Sequence, residues 1–422
     1  MSENFLIERW ALRKLKNELA NKRIAVLIGP RQCGKTTLVK KAGIANAAVL
    51  SLEEECTLAS ALQDPAFLIE SNKDKCLVVD EVQKAPSFLA EIRRAPDGGS
   101  QLGQFLLISS CDLRKLSPAL NDADAAGDFV RLRTLTTAER LGAKPHFLER
   151  IFQGNFAFNI DKDTANKKYT VTEAIKGGFP KFIFESSKEA RSAWLTDYVD
   201  HQIVADMKNQ WSIRRKELLS TLLSYLAENS SKPHNASQMA KQLEKNWQTL
   251  LKYVNVLKSM FLIDEIPAWL DEDFDRTTKR SKLFMEDSGL MAHILNKTNA
   301  DCVLLDYSRE GVDYLESLVK TWCCSQLSAE IDLHPLWKIF HFKIRGRSID
   351  FLLENENKEL LGIEVKSSQT IHAEDFKHLH WFKDRMDQKG ISFKGIVLYS
   401  GPSVLSFGNG CYAVPFAAMW SC

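Results

Sequence analysis

Through its amino-terminal third the chain alternates short apolar runs with stretches whose apolar positions recur at helical spacing. Ile24-Ala-Val-Leu-Ile28, Ala48-Val-Leu-Ser-Leu52, Cys76-Leu-Val-Val-Asp80 and Phe105-Leu-Leu-Ile-Ser109 read as strands. Each is too short for a stable helix and nearly free of polar alternation, as strands buried on both faces are. The helical stretches between them supply the crossovers that parallel neighbours need. The cluster Asp97-Gly-Gly-Ser100 reads as a loop. From about residue 148 the pattern turns helical, over 190–209, 217–229, 236–243 and 247–260. It changes again after about residue 297, to a helix near 314–327 followed by strand-like 348–353 and 361–366. The fold class expected is α/β, with a parallel-sheet domain over 1–147, a helical middle over 148–297 and a smaller α/β domain over 298–422.

Within the middle, 217–266 has the order of a winged helix. A helix carrying Leu218, Leu222, Leu223 and Leu226 is followed by a break at 230–235, a short helix and a longer one from Trp247. Strand-like Phe261-Leu-Ile-Asp-Glu-Ile266 closes the unit. In such a fold the last helix presents its N-terminal side chains to the DNA major groove, here Lys245, Asn246, Gln248, Thr249 and Lys252. Glu244 and the acidic run at 271–275 weigh toward a protein-contact module instead.

Composition narrows the classes. At 422 residues the chain can bury two or three cores. A net charge of +2 gives no global attraction to nucleic acid, so any such contact needs a local patch. Nine cysteines without a CxxC pair suit neither a zinc frame nor a disulfide scaffold and read as reduced thiols of a cytoplasmic protein. No apolar run reaches membrane-spanning length, and the N-terminus carries charge where a signal peptide would be apolar. A membrane partner is therefore not expected.

The sharpest chemical signal follows the first strand. Gly29-Pro30-Arg31-Gln32-Cys33-Gly34-Lys35-Thr36 leads directly into helix-like Thr37-Leu-Val-Lys-Lys41. Strand, glycine-rich loop and helix form the context of a phosphate-binding loop. Gly29 and Gly34 let the backbone turn so that successive N–H groups face phosphate oxygens. Lys35 reaches the β- and γ-phosphates of ATP, the Thr36 hydroxyl ligates Mg²⁺, and the helix N-terminus adds partial positive charge. Residues 29–37, through Thr37, are thus the expected nucleotide site.

Hydrolysis also needs a metal anchor and a group that orients water. Asp80 and Glu81, at the end of the third strand, fit these roles in that order. Ser109, with Ser110 behind it, ends the next strand where a hydroxyl would feel the γ-phosphate. Lys35 and Glu81 are the catalytic residues expected here.

A second constellation lies near the C-terminus. Asp350 in Ser348-Ile-Asp-Phe-Leu-Leu353 and Glu364 in Leu361-Gly-Ile-Glu-Val-Lys366 can meet at one end of a hairpin and share Mg²⁺ or Mn²⁺. Lys366 alternates to the face of Glu364 and can orient water, while the helix acid Glu316 completes the metal shell. Basic Lys343-Ile-Arg-Gly-Arg347 precedes the pair.

The octet with Thr37-Leu38, followed by Val79-Asp-Glu-Val-Gln-Lys-Ala-Pro86, resembles a large group of bacterial and archaeal AAA-type ATP-binding proteins. Lys176-Gly-Gly-Phe-Pro180 is similar to the Gly-Gly-Phe-Pro signature of that group's C-terminal half. Lys282-Leu-Phe-Met-Glu-Asp-Ser-Gly-Leu290 and Tyr314-Leu-Glu-Ser-Leu-Val319 resemble two further segments of it. The resemblance spans nearly the whole chain and implies an AAA-type ATPase joined to a helical and restriction-endonuclease-like half. Members usually carry Gly-Arg after the sensor strand, where this chain has Gly127-Asp128. If that arginine touches phosphate, Arg131 or Arg133 must replace it, with Arg93 and Arg94 as further candidates, or turnover is slow.

The expected function is Mg²⁺-dependent ATP binding and hydrolysis coupled to a half that engages DNA or a protein partner, or self-associates. One alternative is an ATP-gated nuclease using Asp350, Glu364 and Lys366. The other is an ATP-binding signalling or scaffold protein with little turnover.

Overall fold

The first four apolar runs lie side by side in one sheet of the computed structural model, which describes residues 7–94, 102–116, 129–185, 187–211, 216–272, 274 and 277–421. The strands are β1 (Ile24–Ile28), β2 (Ala47–Ser51), β3 (Cys76–Asp80), β4 (Phe105–Ser109) and β5 (Phe129–Arg131), in the order β2-β3-β4-β1-β5 and all parallel. The loop expected at 97–100 lies outside the described residues, as do Gly127 and Asp128.

Both faces of this sheet are buried. Val26, Val79 and Leu107 point to one core, shared with Phe88, Leu89 and Ile92 of the helix Pro86–Arg94. Leu27, Val78 and Leu106 point to the other, shared with Leu15 of the helix Ala11–Asn21 and Leu38 of the helix Lys35–Ala42. That two-sided burial explains why the strands read as unbroken apolar runs. Ile28 pairs with Ser109 and Ser51 with Asp80, so the residues that follow β1, β3 and β4 emerge at one edge of the sheet.

In the middle, the stretch expected as one helix over 190–209 is divided. The helices Lys188–Asp197 and Val204–Trp211 flank a π-helical segment, Tyr198–Ile203. The helices Lys216–Glu228, Ala236–Gln242 and Trp247–Ser259 follow, and then an antiparallel pair, β6 (Ile263–Ile266) and β7 (Lys282–Met285).

The end region is a six-stranded mixed sheet. Its strands are β8 (Lys338–Ile344), β9 (Arg347–Glu354), β10 (Leu360–Lys366), β11 (Phe393–Tyr399), β12 (Leu405–Ser406) and β13 (Cys411–Pro415), ordered β12-β13-β11-β10-β9-β8. β8, β9 and β10 are antiparallel neighbours, whereas β10, β11 and β13 run parallel. Phe351 and Leu353 face the long helix Arg309–Ile331, and Leu352 faces the helix Lys377–Gln388 with its Leu379, Phe382 and Met386. The core on the first side is continuous from Ala138 through the middle helices to Trp420. Each fully buried phenylalanine in these cores stabilises by roughly 2–3 kcal/mol.

The Lys176-Gly-Gly-Phe-Pro180 segment has a packing reason for its glycines. Gly177 takes φ +64°, and a Cβ there would lie 2.3 Å from an Asp287 carboxylate oxygen. That carboxylate accepts the Gly178 N–H at 2.7 Å and caps the helix Ser288–Ile294. Among the described residues, no helix is long and apolar enough to cross a membrane.

Candidate functional site: a P-loop beside a buried carboxylate and serine

The loop after β1 turns into the helix Lys35–Ala42 through Gly34, whose φ of +104° suits glycine. The Lys35 ammonium folds back over the loop and donates to the carbonyls of Gly29 and Pro30, each at 2.9 Å. It also meets the Ser110 hydroxyl at 3.0 Å. Beside it the Thr36 hydroxyl donates to Asp80 at 2.7 Å, and the other Asp80 oxygen accepts the Glu81 N–H at 3.0 Å. Burial raises the Asp80 carboxyl above its ordinary range, and the Thr36 bond opposes that shift. A hydroxyl and a carboxylate side by side form an all-oxygen set that fits Mg²⁺.

Glu81 sits just past β3 with φ +57°, and its buried carboxylate accepts from the Ser110 hydroxyl at 2.7 Å and from the Gln83 amide. Glu81, Ser110 and Lys35 thus form a continuous carboxylate–hydroxyl–ammonium chain along the edge where β1, β3 and β4 end.

The serine differs from the one expected. Ser109, the last residue of β4, is fully buried and donates to the Cys111 carbonyl at 2.8 Å, so its hydroxyl faces away from the loop. Ser110, one residue beyond the strand, takes the position foreseen for it. Cys33 also turns inward, its thiol donating to the Leu132 carbonyl at 3.3 Å, and burial pushes that thiol up. Only its backbone faces the loop. Thr37 is exposed on the first turn of the loop's helix.

Two of the arginine candidates are bonded elsewhere. Arg131 bonds Asp264 and Glu286, each at 2.7 Å. Arg133 bonds Glu286 at 2.9 Å and Asp332 at 2.6 Å, and also meets Asp264. These partners lie on β6, just after β7 and at the end of the long helix. The two guanidinium groups therefore fasten β5 to the middle and end regions instead of facing the P-loop. Burial raises the Glu286 carboxyl to about 8, whereas both arginines overcome burial at Asp264 and hold it below the usual carboxylate range. Arg93 and Arg94 end the helix Pro86–Arg94.

Arg31 carries a guanidinium on the loop itself. It donates to Asp206 at 2.8 Å and also meets Glu53. Gln32 meets Gln202 at 2.6 Å and accepts from the Trp194 indole at 2.9 Å, while the Tyr198 hydroxyl donates to the Arg31 carbonyl at 3.3 Å. The helical segment 188–211 therefore lies against the P-loop. Behind the loop, buried Arg9 donates to the Cys33 carbonyl at 3.0 Å and the Arg133 carbonyl at 2.6 Å. Sequence pattern offers no signal for Arg9, Asp206 or Trp194, because tertiary packing alone brings them to the loop; Gln83 comes with the Val79–Pro86 segment, two residues after Glu81.

At the C-terminal constellation the two acids do meet. Ile363 pairs with Phe351, which sets Asp350 and Glu364 level on β9 and β10. Burial and the charge of Asp350 raise the Glu364 carboxyl to about 7. Asp350, however, is neutralised by lysines: Lys320 of the long helix at 3.0 Å and Lys282 of β7 at 3.3 Å, with the Val365 N–H on its other oxygen at 3.2 Å. Lys366 turns instead to Asp375 at 3.1 Å, and Glu316 is exposed on the long helix. The expected shell of Asp350, Glu364, Lys366 and Glu316 is thus not assembled. Among the described residues no group of three His, Cys, Asp or Glu is placed to hold a metal. With two ammonium groups where a cation would sit, the donor set does not fit one.

In the middle, Lys245, Asn246, Gln248, Thr249 and Lys252 are all exposed around the start of the helix Trp247–Ser259. The Asn246 side chain is used as the helix cap, accepting from Gln248 N–H at 2.8 Å.

Residues 21–141 match the family described as AAA domain, so the N-terminal sheet is an AAA-type P-loop domain. Residues 168–301 and 315–419 match two families described as domains of unknown function, DUF8612 and DUF4143. Uncharacterized proteins of Mycobacterium bovis and Mycobacterium tuberculosis are each 22% identical over 291 residues, covering 69% of this chain and 60% of theirs. The chain therefore matches less than two thirds of the length of these relatives. A solved Walker-type ATPase of Pyrococcus abyssi aligns with 13% identity and a TM-score of 0.41, over 69% of this chain and 96% of that one.

Proposed function

We propose that the chain binds ATP with Mg²⁺ at the P-loop and hydrolyses it, and that this cycle changes how the C-terminal half engages a partner. The observation that carries the reading is the Glu81–Ser110–Lys35 chain beside the Thr36–Asp80 pair. Backbone N–H groups of the loop from Arg31 to Thr36 and the Lys35 ammonium, once released from the loop carbonyls, would take the β- and γ-phosphate oxygens. Thr36 and Asp80 would hold Mg²⁺, which neutralises charge on the phosphates. Glu81, held by hydrogen bonds from Ser110 and Gln83, would orient the attacking water with its remaining acceptor sites.

DNA or protein as the partner of the other half is part of the same proposal. Three helices followed by β6, which pairs with β7, support the winged-helix reading of 217–266, and exposed Lys245 and Lys252 support contact with duplex phosphates. The mixed sheet with a helix on each face supports a restriction-endonuclease-like fold for the end region. The eight described cysteines are all free, in keeping with a cytoplasmic setting. A second reading, ATP binding with little turnover, is favoured by the burial of Arg131 and Arg133 in ion pairs away from the loop. Titration calorimetry with ATP and Mg²⁺ tests the common premise: Lys35→Ala is expected to weaken binding at least about tenfold. Unchanged affinity in that variant would remove the P-loop reading.

A further inference from the structure

A cavity of about 440 Å³ opens beside the first turns of the helix Lys188–Asp197. Ile175 and Phe182 form its apolar wall, and Lys176, Arg191 and His293 bring nitrogen donors to it. Three hydroxyl-bearing residues add further donors, and among the described residues no Asp or Glu lines the space. Such a lining suits an anion with an organic part.

The cations are held under tension. Lys176 is half-buried, and burial together with the positive charges of Arg140 and Arg191 lowers its ammonium to about 8. Glu173 comes no nearer than 3.9 Å, and its carboxylate already accepts from the Thr137 hydroxyl at 3.1 Å and pairs with Arg140. Arg191 donates its Nε–H to the Glu185 carbonyl at 2.6 Å and lies 5.6 Å from the Phe182 ring centre, which fixes the guanidinium at the wall. An oxyanion between Lys176 and Arg191 would relieve the repulsion and gain two charge-assisted hydrogen bonds.

We propose that this cavity binds a small organic phosphate, its phosphoryl oxygens taken by Lys176 and Arg191 and its carbon skeleton set against Ile175 and Phe182. Further along the stripe that carries Arg191, the same helix reaches the P-loop. Trp194 bonds Gln32, and Tyr198, just past the helix, bonds Arg31. A ligand in the cavity therefore sits within two turns of the residues that brace the nucleotide loop and acts as an effector of it. The effector role rests on the ATP reading; the binding itself does not.

The test uses the full chain, with phenyl phosphate as the probe and inorganic phosphate as the small-oxyanion control. Calorimetry on the Lys35→Ala protein, whose P-loop cation is gone, should show saturable phenyl phosphate binding that Lys176→Met weakens at least about tenfold. Inorganic phosphate should bind more weakly, since it leaves the apolar wall uncovered. A variant-free measurement runs alongside: acylation of Lys176 at about pH 8, followed by mass spectrometry, should be slowed by phenyl phosphate. Absence of that protection overturns the proposal, as does phenyl phosphate affinity that is unchanged in Lys176→Met. Equal affinity for inorganic phosphate overturns its organic part. ATP enters neither measurement, so failure here leaves the P-loop reading intact, and an inactive P-loop leaves this one intact.

Discussion

The Ser110 hydroxyl donates to the Glu81 carboxylate across 2.7 Å, joining the residue beyond β4 to the residue beyond β3. Neighbouring Ser109 makes no such contact and bonds the Cys111 carbonyl instead. The two serines should therefore separate cleanly on mutation. Ser110→Ala is expected to slow ATP turnover by about tenfold or more, because the water-orienting carboxylate loses its partner. Ser109→Ala should cost about 1 kcal/mol of stability and leave turnover per folded molecule unchanged. Phosphate-release assays paired with chemical denaturation distinguish the outcomes, and a larger rate loss in Ser109→Ala would contradict the assignment.

Much of this edge was legible in the sequence, and the reason is physical. β1, β3 and β4 are buried on both faces, so each leaves an unbroken apolar run, and the residues after each run fall at the same edge. β5 and β7 are only three and four residues long and leave no periodic trace. Alternation places Lys366 on the face of Glu364, yet Asp375, from a 3₁₀ turn that no pattern marks, draws its ammonium away. Lys282 and Lys320 reach Asp350 from two distant segments, a meeting that spacing along the chain cannot foretell.

That meeting leads to a contrast between lysines. Lys320→Met removes one of two ammonium groups from a buried carboxylate and should destabilise the fold by roughly 3 kcal/mol. Lys366→Ala breaks a partly exposed pair and should cost no more than about 1 kcal/mol. Denaturant midpoints read both. Titration of the intact chain with Mn²⁺ should show no saturable site that Asp350→Ala removes; finding one would restore the metal reading of the end region.

Glu330 supplies a pH dependence. It is buried against the Leu148 N–H at 2.9 Å, and burial raises its carboxyl from 4.5 to about 8. Between those values the folded chain keeps a proton that the unfolded chain has released. This contribution to stability is therefore present at low pH and is lost as pH rises through that window. The slope is at most about 1.4 kcal/mol per pH unit. Glu330→Gln keeps a hydrogen-bond acceptor and removes the titration, so its thermal midpoint should exceed the wild-type value at about pH 8 by a few degrees. A pH profile parallel to wild type would contradict this.

For the middle region, Lys245→Glu with Lys252→Glu is expected to weaken duplex binding similarly across sequences and to flatten its salt dependence by roughly two phosphate contacts. Fluorescence anisotropy at several salt concentrations reads both effects. A wild-type chain that never binds labelled duplex at low salt would leave a protein as the partner of this half.

The central claim, that Glu81 orients water at an ATP site held by Lys35, Thr36 and Asp80, is tested most directly by Glu81→Gln. ATP affinity and phosphate release are measured on the same preparation. The substitution keeps the side chain's shape, leaves the Thr36–Asp80 pair in place and removes the charge that draws a proton from water. Affinity is expected to stay within about twofold of wild type, while phosphate release falls at least about a hundredfold. Parallel loss of binding and release, or release that persists at the wild-type rate, would contradict the account.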